Sequence, residues 1–390
     1  MGRIKVMAMI DRPFLGGGQV NLLALARNLD RTEFEVSVCS QPGGALEEEV
    51  RKSNIDFFPI SFQKKNWIKV VRQIRLLLEQ KEVNILHTHG GVAGLFGRWA
   101  GRRIKNLILI HSLHGIHYLH YRNPLLKAGA CWLERYFSSF TDQVICVSEG
   151  DRQKAIDYKL VPEEKVTVIH NGLDFDTFNK VNNRVNKKIP FYLKPSSPVV
   201  GSVARLHRQK GLIYLLQAVP QIAKVFPEVK ILIIGGGPLG AKLSRQAAKL
   251  GLGKIVSFLG ERQDAAHLLS TFDVFVLPSL WEGFPYVLLE AAAMAKPVVA
   301  TRVSGSTEII KDKKTGILVP PRRPDKLAQA VIKLLQQREY AQNLGQSLKK
   351  NICQRFTLSQ MVGRIQKLYL RLYQKKQKEE PSPLSPPIDN

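Results

Sequence analysis

Cysteine is scarce. Cys39, Cys131, Cys146 and Cys353 are scattered with no paired spacing, which argues against a disulfide framework and a zinc site and fits a reducing, cytoplasmic setting. No apolar run reaches the roughly 18–20 residues of a membrane span. The apolar part of MGRIKVMAMIDRPF is too short for a secretory signal and is expected to form a strand. Acidic residues are in deficit, 32 against 58 Lys and Arg, leaving a formal charge of +26. That excess favours anionic partners such as nucleic acid, acidic lipid headgroups or phosphorylated substrates, without choosing among them. Core-forming residues are not lacking: 390 residues, 44% of them hydrophobic, point to two globular domains.

Strand and helix patterns alternate throughout. Ile4–Ile10 reads as a strand, Gly16, Gly17 and Gly18 as a flexible loop, Val20–Leu29 as a helix and Phe34–Cys39 as the next strand, the βαβ pattern of a parallel sheet. Glycines after a first strand let backbone amides approach a phosphate, although plain tight turns use them too. Lys64–Gln80 has helical periodicity, with Ile68, Val71, Ile74 and Leu78 on one stripe and Lys65, Lys69 and Arg72 on another. The apolar stripe suits packing on a sheet; the basic one is left for an anionic membrane surface. Residues 179–198 lack periodicity and read as a linker. The tail from residue 375 is charged, Pro-rich and expected to be disordered. Between them a second strand–helix series begins at Val199.

Three local patterns invite chemical readings. His111, His114, His117 and His120 recur every third residue, and His87 and His89 follow the strand pattern Val83–Leu86. Gly115 interrupts the repeat and no Cys or acid is interleaved, so a metal cluster is not expected. One histidine at the carboxyl end of a strand is better read as a hydrogen-bond donor facing a ligand. Asp174-Phe175-Asp176 follows Asn-Gly and reads as a turn and helix cap. Gly235, Gly237 and Gly240 match G-x-G-x-x-G, with Glu261 near the distance of a ribose acid. The fingerprint does not open its half of the chain, however, and Pro238 removes an amide donor.

The most informative stretch is WEGFPYVLLEAAAMAKPVVAT. The strand pattern Val274–Leu277 ends in a loop carrying Glu282 and Gly283, and Pro285 is placed as the first residue of a helix. Glu290 sits among Val287, Leu288, Leu289 and alanines, where a carboxylate is rare unless something polar meets it. Two carboxylates flanking a helix N-terminus suit a phosphate-bearing ligand with hydroxyls.

The ordered set LGGGQ, HTHGG, HSLHG, VSEG, IHNGLDFDTF, VARLHRQKG, FLGERQDAAHLL, EGFPYVLLE and GSTEII resembles the retaining nucleotide-sugar glycosyltransferases of family 4, across nearly the whole chain. The resemblance implies the GT-B fold, an α/β architecture of two Rossmann-like doubly wound domains facing a cleft. The implied parts are an acceptor domain over 1–178, a linker over 179–198, a donor domain over 199–355, a helix over 356–374 returning to the first domain, and a tail over 375–390. It implies that Glu290 binds ribose hydroxyls and that Glu282, with the Gly283 and Phe284 amides, holds the transferred sugar. Arg205 and Lys210 grip the diphosphate, backbone at Arg262 reads the base, and Gly17 and Gly18 approach the diphosphate. His114 faces the sugar. Catalytic work falls to His114, Glu282, Arg205 and Lys210, with no metal and no cofactor. Gln19 stands where many relatives carry Glu, so a charge role there is in doubt.

The implied partners are a sugar nucleotide, UDP-hexose or UDP-N-acetylhexosamine before GDP-mannose, and a glycan or polyprenyl-linked acceptor at the cytoplasmic membrane face. A nucleotide-sugar epimerase shares the fold but lacks this motif set. A polyanion-binding protein would interleave aromatics with Lys and Arg at a recognisable module, and no such run occurs.

Overall fold

A computed structural model describes residues 2–178, 197–262 and 264–379. The expected linker lies outside these residues but for its last two, as does the tail beyond residue 379. The chain divides into two compact units, one of Met1–Val147, Asp151–His170 and Ser359–Asn390, the other of Ser148–Gly150 and Asn171–Leu358. Residues 171–178, assigned above to the first domain, group with the second unit. Leu173 donates its amide to Phe356 O and its carbonyl accepts from Leu358, while Gly172 lies so close to Thr357 that a Cβ would sit 2.3 Å from its carbonyl oxygen.

The first unit holds a seven-stranded parallel sheet ordered β3-β2-β1-β4-β5-β6-β7. Its strands are β1 (Ile4–Ile10), β2 (Phe34–Ser40), β3 (Asp56–Pro59), β4 (Ile85–His89), β5 (Ile108–Leu113), β6 (Gln143–Cys146) and β7 (Val166–Val168). β1 and β4 are buried on both faces, which is why they read as apolar runs rather than alternations. β4 extends beyond the expected Leu86, so His87 and His89 are strand residues. Helices α1 (Gly17–Asn28), α2 (Ala45–Lys52), α3 (Trp67–Gln80), α4 (Gly91–Gly101), α5 (Pro124–Ser139) and α6 (Glu149–Asp157) follow in chain order. Gly17 and Gly18 thus form the first turn of α1, with Gly16 as its cap, and not a loop. α3 buries Val70, Val71, Ile74 and Leu78. Ile68, expected on that stripe, is 67% exposed, in the first turn of α3.

The second unit holds a six-stranded parallel sheet ordered β10-β9-β8-β11-β12-β13. Its strands are β8 (Val199–Val203), β9 (Lys230–Ile234), β10 (Val256–Phe258), β11 (Val274–Leu277), β12 (Val298–Thr301) and β13 (Ile317–Val319). The helices are α7 (Leu212–Val225), α8 (Gly240–Lys249), α9 (Ala265–Ser270), α10 (Tyr286–Ala293), α11 (Ser304–Ile309), α12 (Pro324–Gln336) and α13 (Arg338–Arg355). β8 carries Gly201 in its middle because the Phe272 ring lies 2.0 Å from where a Cβ would stand. The last helix, α14 (Leu358–Lys378), continues past the expected limit of residue 374. It packs Met361, Val362, Ile365, Leu368 and Tyr369 into the first unit, where Tyr369 meets Phe34 edge-on at 5.9 Å. Residues 375–378, expected to open a disordered tail, are helical.

Candidate active site

Each sheet has one place where successive connections leave in opposite directions. In the second unit it lies between β8 and β11, which pair directly while β9 and β12 lie on either side. Loops at the carboxyl ends of such strands diverge and leave a crevice, the usual ligand position in open α/β sheets. The loop after β8 ends at Gly211, whose φ of +59° and 2.1 Å approach of a would-be Cβ to Pro278 O allow only glycine. That close approach brings Lys210 and Glu282 together. Lys210 Nζ lies 2.6 Å from Glu282 Oε1, Ser279 Oγ donates to the same oxygen at 2.6 Å, and Gln209 Nε2 donates to Oε2 at 3.2 Å. Glu282 is 5% exposed at its side chain and Lys210 18%, so this is a nearly buried, fully hydrogen-bonded carboxylate rather than a surface ion pair.

Glu290 has the opposite environment. It lies in α10, whose cap is Pro285, so the proline stands one position before the expected first helical residue. The carboxylate keeps some solvent access and has no side-chain partner among the described residues. Burial in the apolar surroundings pushes its carboxyl up to about 7. Between the two acids, Gly283 and Phe284 are buried; Phe284 O accepts from Asn171 Nδ2 at 2.7 Å, and Gly305 leaves room for Gly283 O.

Arg205 is exposed on the Ala204–Leu206 backbone just beyond β8. The glycines of the G-x-G-x-x-G pattern seat this loop. A Cβ on Gly235 would lie 2.2 Å from Ala204 O and one on Gly237 2.7 Å from Leu206 O, and Leu206 donates its amide to Gly236 O at 2.7 Å. Gly235 and Gly237 have φ of +133° and +144°. The pattern that suggested a dinucleotide fingerprint therefore packs one loop on another and aims Arg205. Arg262 is exposed, its guanidinium bidentate to Asp264 at 2.7 Å on both arms.

In the first unit the reversal falls between β1 and β4, where Ile10 pairs with His89. Here α1 begins, and Gly18 packs against Ile10 and His114, 3.4 Å separating a would-be Cβ from His114 Cδ2. The buried Gln19 donates Nε2 to Arg12 O at 3.2 Å and closes the loop through its amide. The histidines of the sequence repeat part company. His111 is buried in β5 on Thr88 Oγ1 at 2.9 Å, His117 and His120 lie in an outward 3-10 turn, and only His114 stays at the strand end. Its Nε2 lies 2.9 Å from His89 Nδ1. His87 is held by Tyr369 OH at 2.6 Å and Ser112 Oγ at 2.8 Å. Burial drives the imidazoles of His87 and His114 down to about 3 and about 4, and lowers His89 and His111 as well, so the cluster is neutral at physiological pH. Among the described residues no group of three or more His, Cys, Asp or Glu is arranged to hold a metal. Asp174 caps the turn after Asn171-Gly172, accepting from the Asp176 and Thr177 amides at 3.1 and 3.3 Å.

Two family models cover these units in turn: Glycosyltransferase Family 4 over residues 15–177 and Glycosyl transferases group 1 over residues 185–351. A Methanocaldococcus jannaschii protein named as an uncharacterised glycosyltransferase is 31% identical over 366 residues, covering 88% of this chain and 91% of its own length. The chain belongs to the family 4 glycosyltransferases. This glycosyltransferase is also 27% identical over 376 residues to an Escherichia coli UDP-Gal:α-D-GlcNAc-diphosphoundecaprenol α-1,3-galactosyltransferase, covering 94% of this chain and 97% of that one. Its fold matches Anabaena HepE, solved with UDP-glucose, at a TM-score of 0.82 and 21% identity over 95% of this chain and all of the other. The GT-B architecture of two Rossmann-like parallel sheets is therefore the fold of this glycosyltransferase, and the epimerase and polyanion-binder readings fall away.

The site contains residues that motif reading passed over. Ser279 and Gln209 complete the shell of Glu282, and each has a local signal in VLPS and RLHRQKG. Tyr369 has none, since a contact across 282 positions leaves no trace in spacing, and Asn171, although it stands in IHNGLDFDTF, gives no sign of the Phe284 carbonyl it meets 113 positions on. Arg98 and Glu134, 36 positions apart, form a buried bidentate pair at 2.8 and 3.1 Å that ties α4 to α5 and matches no motif.

Proposed function

We propose that this glycosyltransferase moves a sugar from a nucleoside diphosphate, a UDP-linked hexose or N-acetylhexosamine before GDP-mannose, to a glycan or polyprenyl-linked acceptor with retention of anomeric configuration, in cell-surface polysaccharide synthesis. The observation that carries the reading is the pair of carboxylates after β11: Glu282 saturated by Lys210, Ser279 and Gln209, and Glu290 unpartnered one helical turn into α10. Glu290 is then free to bond ribose hydroxyls. Glu282, fixed in place, orients the transferred sugar together with the Gly283 and Phe284 amides. Arg205 and Lys210 meet the charge that grows on the departing diphosphate, in the part a divalent ion plays in other enzymes. Backbone at Arg262 meets the base, the Gly17 and Gly18 amides at the α1 N-terminus offer donors to the diphosphate, and His114 is assigned to the sugar. The sugar C1–O bond to phosphate breaks, the acceptor oxygen bonds C1 on the same face, and the acceptor proton passes to the leaving phosphate. No side-chain nucleophile is involved, so both glutamates act as positioning groups.

The named substrates of the E. coli relative, a UDP-sugar and a diphosphoundecaprenol acceptor, support the donor and acceptor classes, and the UDP-glucose complex of HepE supports the nucleotide. The experiment is a screen of sugar nucleotides by thermal shift, followed by transfer assays. With the best donor, Arg205→Ala is expected to lower turnover by roughly 10²-fold or more with an unchanged melting temperature. Wild-type turnover in that variant would remove Arg205 from the diphosphate.

A further inference from the structure

The geometry points to His89 as a positioning residue that fixes the ring of His114 and the tautomer it presents, so that His114 offers a neutral Nδ1–H at the carboxyl end of the first sheet. The two rings are stacked, 16° from parallel with centroids 5.2 Å apart, and one hydrogen bond of 2.9 Å joins His89 Nδ1 to His114 Nε2. Two neutral imidazoles share one proton across that bond, so one ring donates and the other accepts.

The other end of His89 decides which. Its Nε2 is buried and has no hydrogen-bond partner. Were His114 the donor, the second nitrogen of His89 would carry a buried N–H with nothing to receive it, the rarer and costlier arrangement. With His89 donating from Nδ1, its Nε2 is a bare buried nitrogen that carries no proton in need of an acceptor. His114 then accepts at Nε2 and carries its own proton on Nδ1, where the ring is partly exposed. Burial holds both rings neutral, which keeps the one-proton count intact near pH 7.

His89 is itself fixed. The His87 ring lies 4.2 Å away and tilted by 34°, and is clamped by Tyr369 of α14 and Ser112 of β5. Gly18 closes the other side of His114. A donor of fixed direction and fixed protonation differs from a general base: it stabilises negative charge or a lone pair and takes no proton.

The test reads the tautomer directly, by long-range ¹⁵N–¹H correlation on histidine-labelled protein, with His114 assigned by His114→Gln. The expected result is Nδ1–H on His114 in the wild type and in His89→Asn, whose amide can still donate. In His89→Asp, whose carboxylate accepts and does not donate, Nε2–H appears. An Nε2–H tautomer of His114 in the wild type overturns the inference, and it needs no variant to fold. So does an unchanged tautomer in His89→Asp. The activity arm rests on the proposed role of His114: His89→Asp should lose roughly 10²-fold in kcat with little change in donor KM, and His89→Asn should recover most of it. An altered tautomer with unaltered kcat leaves His89 as the positioning residue and removes His114 from the chemistry.

Discussion

Glu290 is held where a carboxylate is poorly solvated, and the consequence for stability has a definite sign. Its folded value of about 7 lies above the ordinary 4.5. The group therefore adds stability below the unfolded value and loses it as pH rises through the folded one. At pH 8 the unliganded protein carries an ionised, unpartnered acid. Glu290→Gln should then stabilise the unliganded protein at pH 8 by on the order of 1–2 kcal/mol after allowance for solvent access, read as a raised melting temperature, and leave it nearly unchanged at pH 5. The same variant should weaken UDP binding about tenfold, measured by calorimetry. A lower melting temperature at pH 8 would contradict the buried-acid account. Both glutamates were legible from the sequence, because a charged residue in an apolar helical run calls for a reason. Their difference was not, since it depends on Lys210, Ser279 and Gln209 arriving from another loop.

At the level of elements, α4 and α5 are joined by Arg98 and Glu134, whose side chains are 1% and 8% exposed. Burial alone would raise the Glu134 carboxyl, but the Arg98 guanidinium outweighs it and holds the group down at about 2. Glu134→Gln strands a buried guanidinium, and the expected loss at neutral pH is about 3–5 kcal/mol, read by urea denaturation. The pair adds stability above about pH 4.5 and loses it as pH falls toward 2. β4 and β5 bring an earlier loss. His87, depressed to about 3, with His89 and His111 also lowered, stays neutral in the fold while the unfolded chain takes up protons below its ordinary value of 6.5. Each such histidine removes about 1 kcal/mol between pH 7 and pH 5.5. A denaturation midpoint that held level across that interval would mean that the cluster is solvated. Sequence periodicity found these strands because parallel strands buried on both faces read as apolar runs. It placed the histidines past the end of β4 because a polar residue ordinarily signals the end of such a run, and here hydrogen bonds from Tyr369 and Ser112 pay for continuing it.

Across the whole molecule the charge of +26 meets an aromatic face on the first unit. Trp67 packs edge-on to Trp99 at 6.3 Å, Trp99 lies 6.0 Å from Tyr136, and Tyr136 stacks on Trp132 at 5.8 Å. Arg102 sits 3.6 Å over Trp99. Leu125, Leu126 and Trp132 of α5 are 80%, 63% and 61% exposed, and Lys65, Lys69 and Arg72 are exposed on α3 and the turn before it. Among the described residues no helix is long and apolar enough to cross a membrane. The proposed polyprenyl-linked acceptor would bring this face against an anionic membrane. Liposome co-sedimentation should show binding that needs acidic lipid and falls with salt, and Trp132→Ser with Leu126→Ser should weaken it several-fold at low salt. Absence of salt-sensitive binding would refute the proposal. Charge and α3 were readable in the sequence; the part taken by α5 was not, because its exposed leucines look like core until the sheet is seen to face elsewhere.

Among the described residues α14 is the last helix in chain order, yet it lies in the first unit, where Tyr369 meets His87. Synthesis at about 5–20 residues per second therefore delivers the first sheet long before its covering helix. Until α14 is made, the first sheet lacks the Tyr369 hydroxyl that holds His87, and a unit begun early in the chain waits on residues that follow the second unit.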